Sequence, residues 1–228
     1  MVPNLRQAIR DLNPDILCLQ EVQGQHREKF FKKRPFVPDL PDHEYLARKQ
    51  WEHTAYGQNA THQDGHHGNA ILSKFNFANT ENIDVSRYTK ASRSLLHAEL
   101  TLPTGKLHII CVHLGLLKNE RKVQFSQLIS HIHKFVADKD PLIIAGDFND
   151  WRYESEQTIE KELQLEEALQ VATGNYGKTF PTYRPALAVD RIYFRGVTLK
   201  TAEVLTGRPW RYLSDHLPLL AEFEINHD

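Results

Sequence analysis

The chain holds 228 residues, 40% of them hydrophobic and 25% charged, which is enough for a sizeable core and unlike the make-up of a disordered or fibrous protein. Its 28 Lys and Arg against 29 Asp and Glu leave a formal net charge of -1, so no overall positive field draws it to nucleic acid or to an anionic membrane, and any binding of phosphate must be local. No apolar run approaches the roughly 18 residues of a membrane span, and MVPNLRQAIR lacks the apolar stretch of a secretory signal, which leaves a cytoplasmic protein as the expectation.

In chain order, Leu5, Ala8, Ile9 and Leu12 recur at helical spacing, and Asn13-Pro14 stops that helix. The strand DILCLQEV follows at once. A polar, aromatic-dotted middle shows no clear period until GNAILSKF, Gly68 to Phe75, reads as another strand. SRSLLHAELTL then joins KLHIICVHL through a Pro-Thr-Gly turn as an antiparallel hairpin. From about Asn119 to Ala137 the residues Val123, Leu128, Ile132, Phe135 and Val136 lie mostly on one side of a helix, and PLIIAG after it is a buried strand. A second helix is expected from about Ser155 to Val171, capped by Ser155, before strands around VDRIYF, LKTAEVL and LPLLAEFEI. Repeats and linker-like stretches are lacking, so residues 1–228 read as one domain, and hairpins among alternating helices and strands favour a mixed-sheet α/β sandwich. Cys18 and Cys111 both fall in apolar strand-like runs and read as buried, reduced thiols.

Polar residues gather where these strands end. Glu21 ends DILCLQEV, His113 ends IICVHL, Asp147 and Asn149 end PLIIAG, Asp190 precedes RIYF, and Asp215-His216 precede LPLLAEF. The segments LQE (Leu19 to Glu21), GDFN (Gly146 to Asn149), DRI (Asp190 to Ile192) and SDH (Ser214 to His216), in that order over nearly the whole chain, resemble the endonuclease/exonuclease/phosphatase superfamily of deoxyribonuclease-like metal-dependent phosphoesterases. The resemblance implies an α/β (α+β) fold: a four-layer α/β/β/α sandwich of two mixed sheets flanked by helices, with a phosphoesterase site at the sheet edges. Members begin with a strand carrying a TYN-like segment, whereas this chain starts at the following helix, so the usual first strand is not found in it.

A phosphate ester resists attack because its oxygens are negative, so hydrolysis needs a cation to draw off charge and a group to orient or deprotonate water. Hard oxygen ligands suit Mg²⁺, for which Mn²⁺ can substitute. Glu21 and Asp215 are the expected ligands, since an ion that keeps several waters needs only one or two carboxylates. The resemblance implies that Asp147 prepares the water, that Asn149 binds a phosphate oxygen through its amide, and that Asp190 orients His216. His113 stands where the family protonates the leaving oxygen, and Asn69 and Arg93 match positions near the substrate, Arg93 offering a forked donor to phosphate.

The expected partner is a phosphate-ester substrate, whether nucleic acid, inositol phosphate or phospholipid head group, with no obligate protein partner inferred. The near-neutral charge suits a small or exposed ester at least as well as duplex DNA. A rival class is a catalytically weak or non-catalytic scaffold on the same fold, motivated by the missing first strand. His62, His66 and His67 invite a zinc reading, but no cysteine accompanies them, the segment is Gly- and Asn-rich like a loop, and 13 histidines in the chain favour chance neighbours over a metal site. Lys29, Lys32, Lys33 and Arg34, with Phe30, Phe31 and Phe36 interleaved, form a run that reads as a solvated helix face rather than a nucleic-acid stripe.

Overall fold

The computed structural model describes residues 2–26, 40–62, 65–87, 92–153 and 156–225. The basic run from Lys29 and the cap at Ser155 lie outside these residues. Helix α1 (Val2–Leu12) ends as its sequence predicts: Asn13 takes a left-handed φ of 54°, a conformation its short amide tolerates, and Pro14 follows. The chain then enters β1 (Ile16–His26), and the polar middle holds α2 (Asp42–Ala47) and β2 (His53–His62) before β3 (Gly65–Ser73). Next come β4 (Asn76–Asp84) and the hairpin of β5 (Ser94–Leu102) and β6 (Gly105–His113), whose strands pair from Leu102 against Gly105 to Leu95 against Val112. Strand β4 escaped the sequence reading because NFANTENID is almost wholly exposed at a sheet edge, so backbone pairing with β5 supplies what side-chain alternation does not.

Helix α3 (Lys118–Phe135) leads into β7 (Leu142–Asp147). Its buried stripe differs from the expected one: Leu128 and Ile132 are buried, as is Val136 just past its end, but Val123 and Phe135 face solvent, and Arg121, Gln124, Phe125 and Ile129 complete the buried side. The single helix expected over 155–171 is two, α4 (Glu156–Leu163) and α5 (Ala168–Thr173). Gln164 adopts φ 54°, β8 (Glu166–Glu167) pairs with the next strand, and the Glu167 carboxylate caps α5 by accepting from Gln170 N at 2.7 Å. Strands β9 (Asp190–Arg195), β10 (Thr198–Val204) and β11 (Leu219–Glu224) close the chain.

Six strands form a mixed sheet in the order β4-β5-β6-β7-β9-β8, with β6 and β7 parallel and the rest antiparallel. The second sheet comes in two antiparallel pieces, β1-β3-β2 and β10-β11, and among the described residues no strand joins them. Three apolar layers hold the sandwich together. Ile110, Val112 and Ile144 pack on Phe125, Leu128 and Ile132 of α3, and Ile71, Leu96, Ile109 and Cys111 fill the space between the sheets. Ile9, Leu46 and Trp51 cover the far face of β3 at Leu72. Cys18 and Cys111 are free thiols that meet between the two sheets, and the hydrogen bond with Cys111, followed by burial, holds the Cys18 thiol well above its usual range. No helix among the described residues is long and apolar enough to cross a membrane.

A chain of buried imidazoles crosses the layer between the six-stranded sheet and α3. His97 Nδ1 lies 2.9 Å from His131 Nε2, and His97 Nε2 lies 3.0 Å from His108 Nδ1. Past His108, Asp140 stands 3.6 Å away and is paired with Lys106 at 2.7 Å. Burial, then the charges of His131 and His108, lowers His97 from 6.5 to about 3, and burial lowers the other two histidines. The folded state thus binds fewer protons than the unfolded chain below about pH 6.5, so the stability present above that pH is lost as pH falls toward 3. Urea titrations at stepped pH are expected to show this loss, and His97→Phe should reduce it. An acid limb identical in the variant would show that these imidazoles do not set it.

Candidate active site

The rim of the six-stranded sheet collects the ends of four strands. Because β6 and β7 run parallel while β5 and β9 run against them, the last residues of one pair and the first of the other share one edge. His113 stands opposite Asp147, and Asp147 opposite Asp190, so one cross-strand row carries three polar side chains. Asp147 Oδ2 lies 3.7 Å from His113 Nε2. Beyond Asp190, its Oδ2 meets His216 Nδ1 at 2.9 Å, and the Phe180 ring flanks that imidazole at 4.9 Å.

The GDFN segment is shaped by local backbone needs. Gly146 sits at φ 144°, where an added Cβ would fall 2.0 Å from the Val112 carbonyl oxygen, so only glycine lets β7 approach β6 here. Asn149 is left-handed at φ 52°, and its N–H donates to Asp147 Oδ1 at 2.8 Å, an Asx turn. The Asn149 amide also donates to Asp147 Oδ2 at 3.2 Å and to Leu114 O at 3.0 Å. Asp147 therefore caps its turn with one oxygen and turns the other toward the histidine.

Charge states follow from burial and neighbours. Burial, then the negative charge of Asp190, raises Asp147 to about 7, against the pull of His216. Burial also drives His113 down to about 3, with Arg93, His216 and His67 adding to the effect. Burial opposes charge on His216 as well, but the hydrogen bond and charge of Asp190, followed by Asp147 and Asp215, outweigh it and raise His216 to about 9. At neutral pH His113 is thus a neutral imidazole, and His216 is a cation whose Nδ1–H is committed to Asp190 and whose Nε2–H is the donor left for an anion.

Arg93 lies at this rim, its Nε donating to Leu114 O at 3.2 Å and its charge acting on both His113 and Asp147. Asn69 is fully buried, with no contact with solvent, and its amide donates to Ser94 O at 2.9 Å and Cys111 O at 3.5 Å, tying β3 to the other sheet beneath the site. Glu21 sits in a bulge of β1 at φ 55°, exposed, just after Gln20, whose amide meets Cys111 Sγ at 3.2 Å two residues before His113. Such an interruption of the ladder re-aims a side chain. Asp215 is exposed beside His216, where its backbone O accepts from Thr182 N at 2.9 Å.

Among the described residues no three His, Cys, Asp or Glu side chains stand close enough to cage an ion. Mg²⁺ needs no such cage, and the exposed carboxylates of Glu21 and Asp215 fit its taste for oxygen and retained water. The mutual repulsion of Asp147 and Asp190 is the kind of local charge excess that a cation relieves. The zinc reading fails on strand geometry. His66 and His67 are successive residues of β3 and point to opposite faces: His66 Nδ1 meets the Tyr56 hydroxyl at 2.9 Å, while His67 acts on His113. His67 is thus a site neighbour that a loop reading of this Gly- and Asn-rich segment passes over, and strand alternation was the signal that would have separated it from His66.

A two-sheet sandwich with a row of acid, imidazole and amide groups on one rim has the architecture of a deoxyribonuclease-like phosphoesterase fold. The profile of the Endonuclease/Exonuclease/phosphatase family matches residues 3–216, and the chain belongs to that family. It is 39% identical over 227 residues to the uncharacterized protein YbhP of Escherichia coli strain K12, covering 99% of this chain and 89% of that protein. Among solved structures it is similar to an endonuclease/exonuclease/phosphatase from Beutenbergia cavernae, with a TM-score of 0.79 and 20% identity over 99% of this chain and 66% of that one. The human Nocturnin catalytic domain with bound sulfate matches with a TM-score of 0.76 at 22% identity, covering 99% of this chain and 86% of that one. D. rerio TDP2 complexed with single strand DNA product matches with a TM-score of 0.69 at 20% identity, covering 98% and 91%.

Proposed function

We propose that the protein is a Mg²⁺-dependent phosphoesterase that hydrolyses a phosphodiester or phosphomonoester by attack of water. The observation that carries this reading is the cross-strand row His113, Asp147 and Asp190, extended by the 2.9 Å bond from Asp190 to His216. Asp147, near 7, can take a proton from water at neutral pH, which is what a general base requires. His216 as a cation, with the forked donor of Arg93, meets the negative charge that grows on phosphate in the transition state, while Asn149, both of whose amide hydrogens are given to Leu114 O and Asp147 Oδ2, serves by holding Asp147.

His113 takes a different part from the one its position in the family implies. A buried imidazole near 3 is neutral at neutral pH and too weak an acid for a leaving oxygen, so His113 stands as a neutral polar neighbour of Asp147, and protonation of the leaving group falls to His216. Glu21 and Asp215 would hold Mg²⁺, which when bound supplies neutralising charge to the phosphate oxygens. Glu21→Gln is expected to raise the Mg²⁺ concentration for half-maximal rate by about 10-fold or more, at least the effect typical of losing an outer-shell partner. An unchanged Mg²⁺ requirement would remove Glu21 from the ligand set.

Solved neighbours that hold sulfate or single-strand DNA nominate phosphate anions and nucleic-acid strands as first substrates to try. Purified protein incubated with Mg²⁺ and a panel of oligonucleotides, inositol phosphates and phospholipids tests the reading. Turnover of one class supports it and names the ester. The division of the second sheet favours the scaffold rival, which predicts binding without turnover across the whole panel.

A further inference from the structure

Three polar residues in the first two turns of α3 are buried although none belongs to the row described above: Glu120 and Arg121 are each 3% exposed and Gln124 is 0% exposed. They face the two loops that carry the reacting groups. Arg121 Nη1 donates to the carbonyls of Gly115 at 3.3 Å and Leu116 at 2.6 Å, in the loop that follows His113. Its Nη2 reaches Asp150 Oδ1 at 3.4 Å, in the loop that follows Asn149, and the Trp151 ring lies 5.5 Å from the guanidinium. Gln124 accepts from Gly115 N at 2.8 Å and donates to Val85 O at 3.3 Å. Gly115 presses so closely on Glu120 that an added Cβ would fall 2.1 Å from its carboxylate.

We infer that Arg121 is a positioning residue that locks the His113 loop to the Asp147–Asn149 loop through Asp150; the inference rests on the phosphoesterase reading for its effect on rate. The carbonyl of Leu114, next to Gly115, receives both Asn149 Nδ2 at 3.0 Å and Arg93 Nε at 3.2 Å, while Leu114 N donates to Asp147 O at 2.9 Å. A shift of residues 114–116 therefore moves the Asn149 amide, which also donates to Asp147 Oδ2, moves the Arg93 fork, and pulls on Asp147. Asn149 takes a left-handed turn that its short side chain tolerates, and Asp150 is the next residue, so a movement of Asp150 reaches Asn149 directly through the backbone. Lysine cannot replace this arginine, because a single ammonium cannot span two carbonyls and a carboxylate that the planar fork reaches together. A buried ion pair is a poor source of stability, so its presence between two loops fits a role in fixing geometry.

The test compares Arg121→Lys and Asp150→Asn with wild type on bis-(p-nitrophenyl) phosphate, with the Asn149 side-chain amide followed by NMR. Both substitutions keep near-native size, so the fold survives in at least one. Expected are a kcat lower by about 10-fold or more, KM within about twofold, and a displaced Asn149 amide resonance, since small misplacements of reacting groups cost rate rather than binding. A kcat per folded molecule equal to wild type, even with a lowered thermal midpoint, would overturn the inference and leave Arg121 as scaffolding. If wild type turns over nothing, the phosphoesterase reading has failed by itself; the Asn149 resonance then decides, displacement supporting the coupling and an unmoved signal refuting it.

Discussion

His216→Ala is expected to lower the rate of phosphate-ester hydrolysis by roughly 100-fold or more, about 2.7 kcal/mol of transition-state stabilisation. The size follows from what is lost together: a cation at neutral pH, a directed Nε2–H, and the partner of Asp190. Asp190→Asn separates these parts. It keeps the imidazole and an amide oxygen that can still accept from it, but removes the charge that helps raise His216 to about 9, so the alkaline fall of the rate is expected to move from near 9 toward 6.5. Stability has the same sign. A folded value above the unfolded one gives a contribution that is full below about pH 6.5 and lost as pH rises through about 9, and Asp190→Asn is expected to reduce it, since Asp147 and Asp215 still favour the charged imidazole. pH–rate profiles of the two variants check both statements, and an alkaline limb unmoved in Asp190→Asn would detach His216 from it.

Asp147→Asn is expected to cost roughly 10²–10⁴-fold in rate, the usual worth of a positioned general base. The variant suits the purpose because the amide oxygen of asparagine can still accept from Asn149 N, so the turn survives. It also removes a buried carboxylate that stands in register with Asp190 and is pushed up by it. Stability should hold or rise while activity collapses, a split read by pairing initial rates with thermal midpoints. Activity and stability falling in proportion would assign Asp147 to the fold instead of the chemistry.

Much of this site was legible because its residues obey local rules that leave marks in a sequence. Gly146 is demanded by the approach of β7 to Val112, Asn149 by a left-handed turn, and Asp147 by both the turn and the rim, so GDFN is a compact record of one strand end. The hairpin of β5 and β6, β1 and β7 could be read from apolar runs bounded by turns. What escaped depends on partners distant in the chain. β4 exists through β5, α5 through a carboxylate cap inside an expected helix, and the charge of His216 through Asp190, 26 residues away. Asn69 was placed near a substrate from its motif, yet two backbone carbonyls of the opposite sheet claim its amide. Arg121 and Gln124 did leave a mark: they fall in phase with Phe125 and Leu128 on the buried side of α3, and a charged residue in an apolar stripe has to be satisfied by something specific.

The central claim is that side chains from β6, β7, β9 and the loop before β11 act as one hydrolytic centre served by a divalent cation. Its most direct test is the initial rate of bis-(p-nitrophenyl) phosphate hydrolysis by the wild-type protein with Mg²⁺, after chelation with EDTA, and after Mg²⁺ is restored, beside His216→Ala throughout. The account predicts turnover that stops on chelation, returns with the ion, and stays roughly 100-fold lower in the variant. A wild-type rate equal to that of His216→Ala, with or without Mg²⁺, would contradict it.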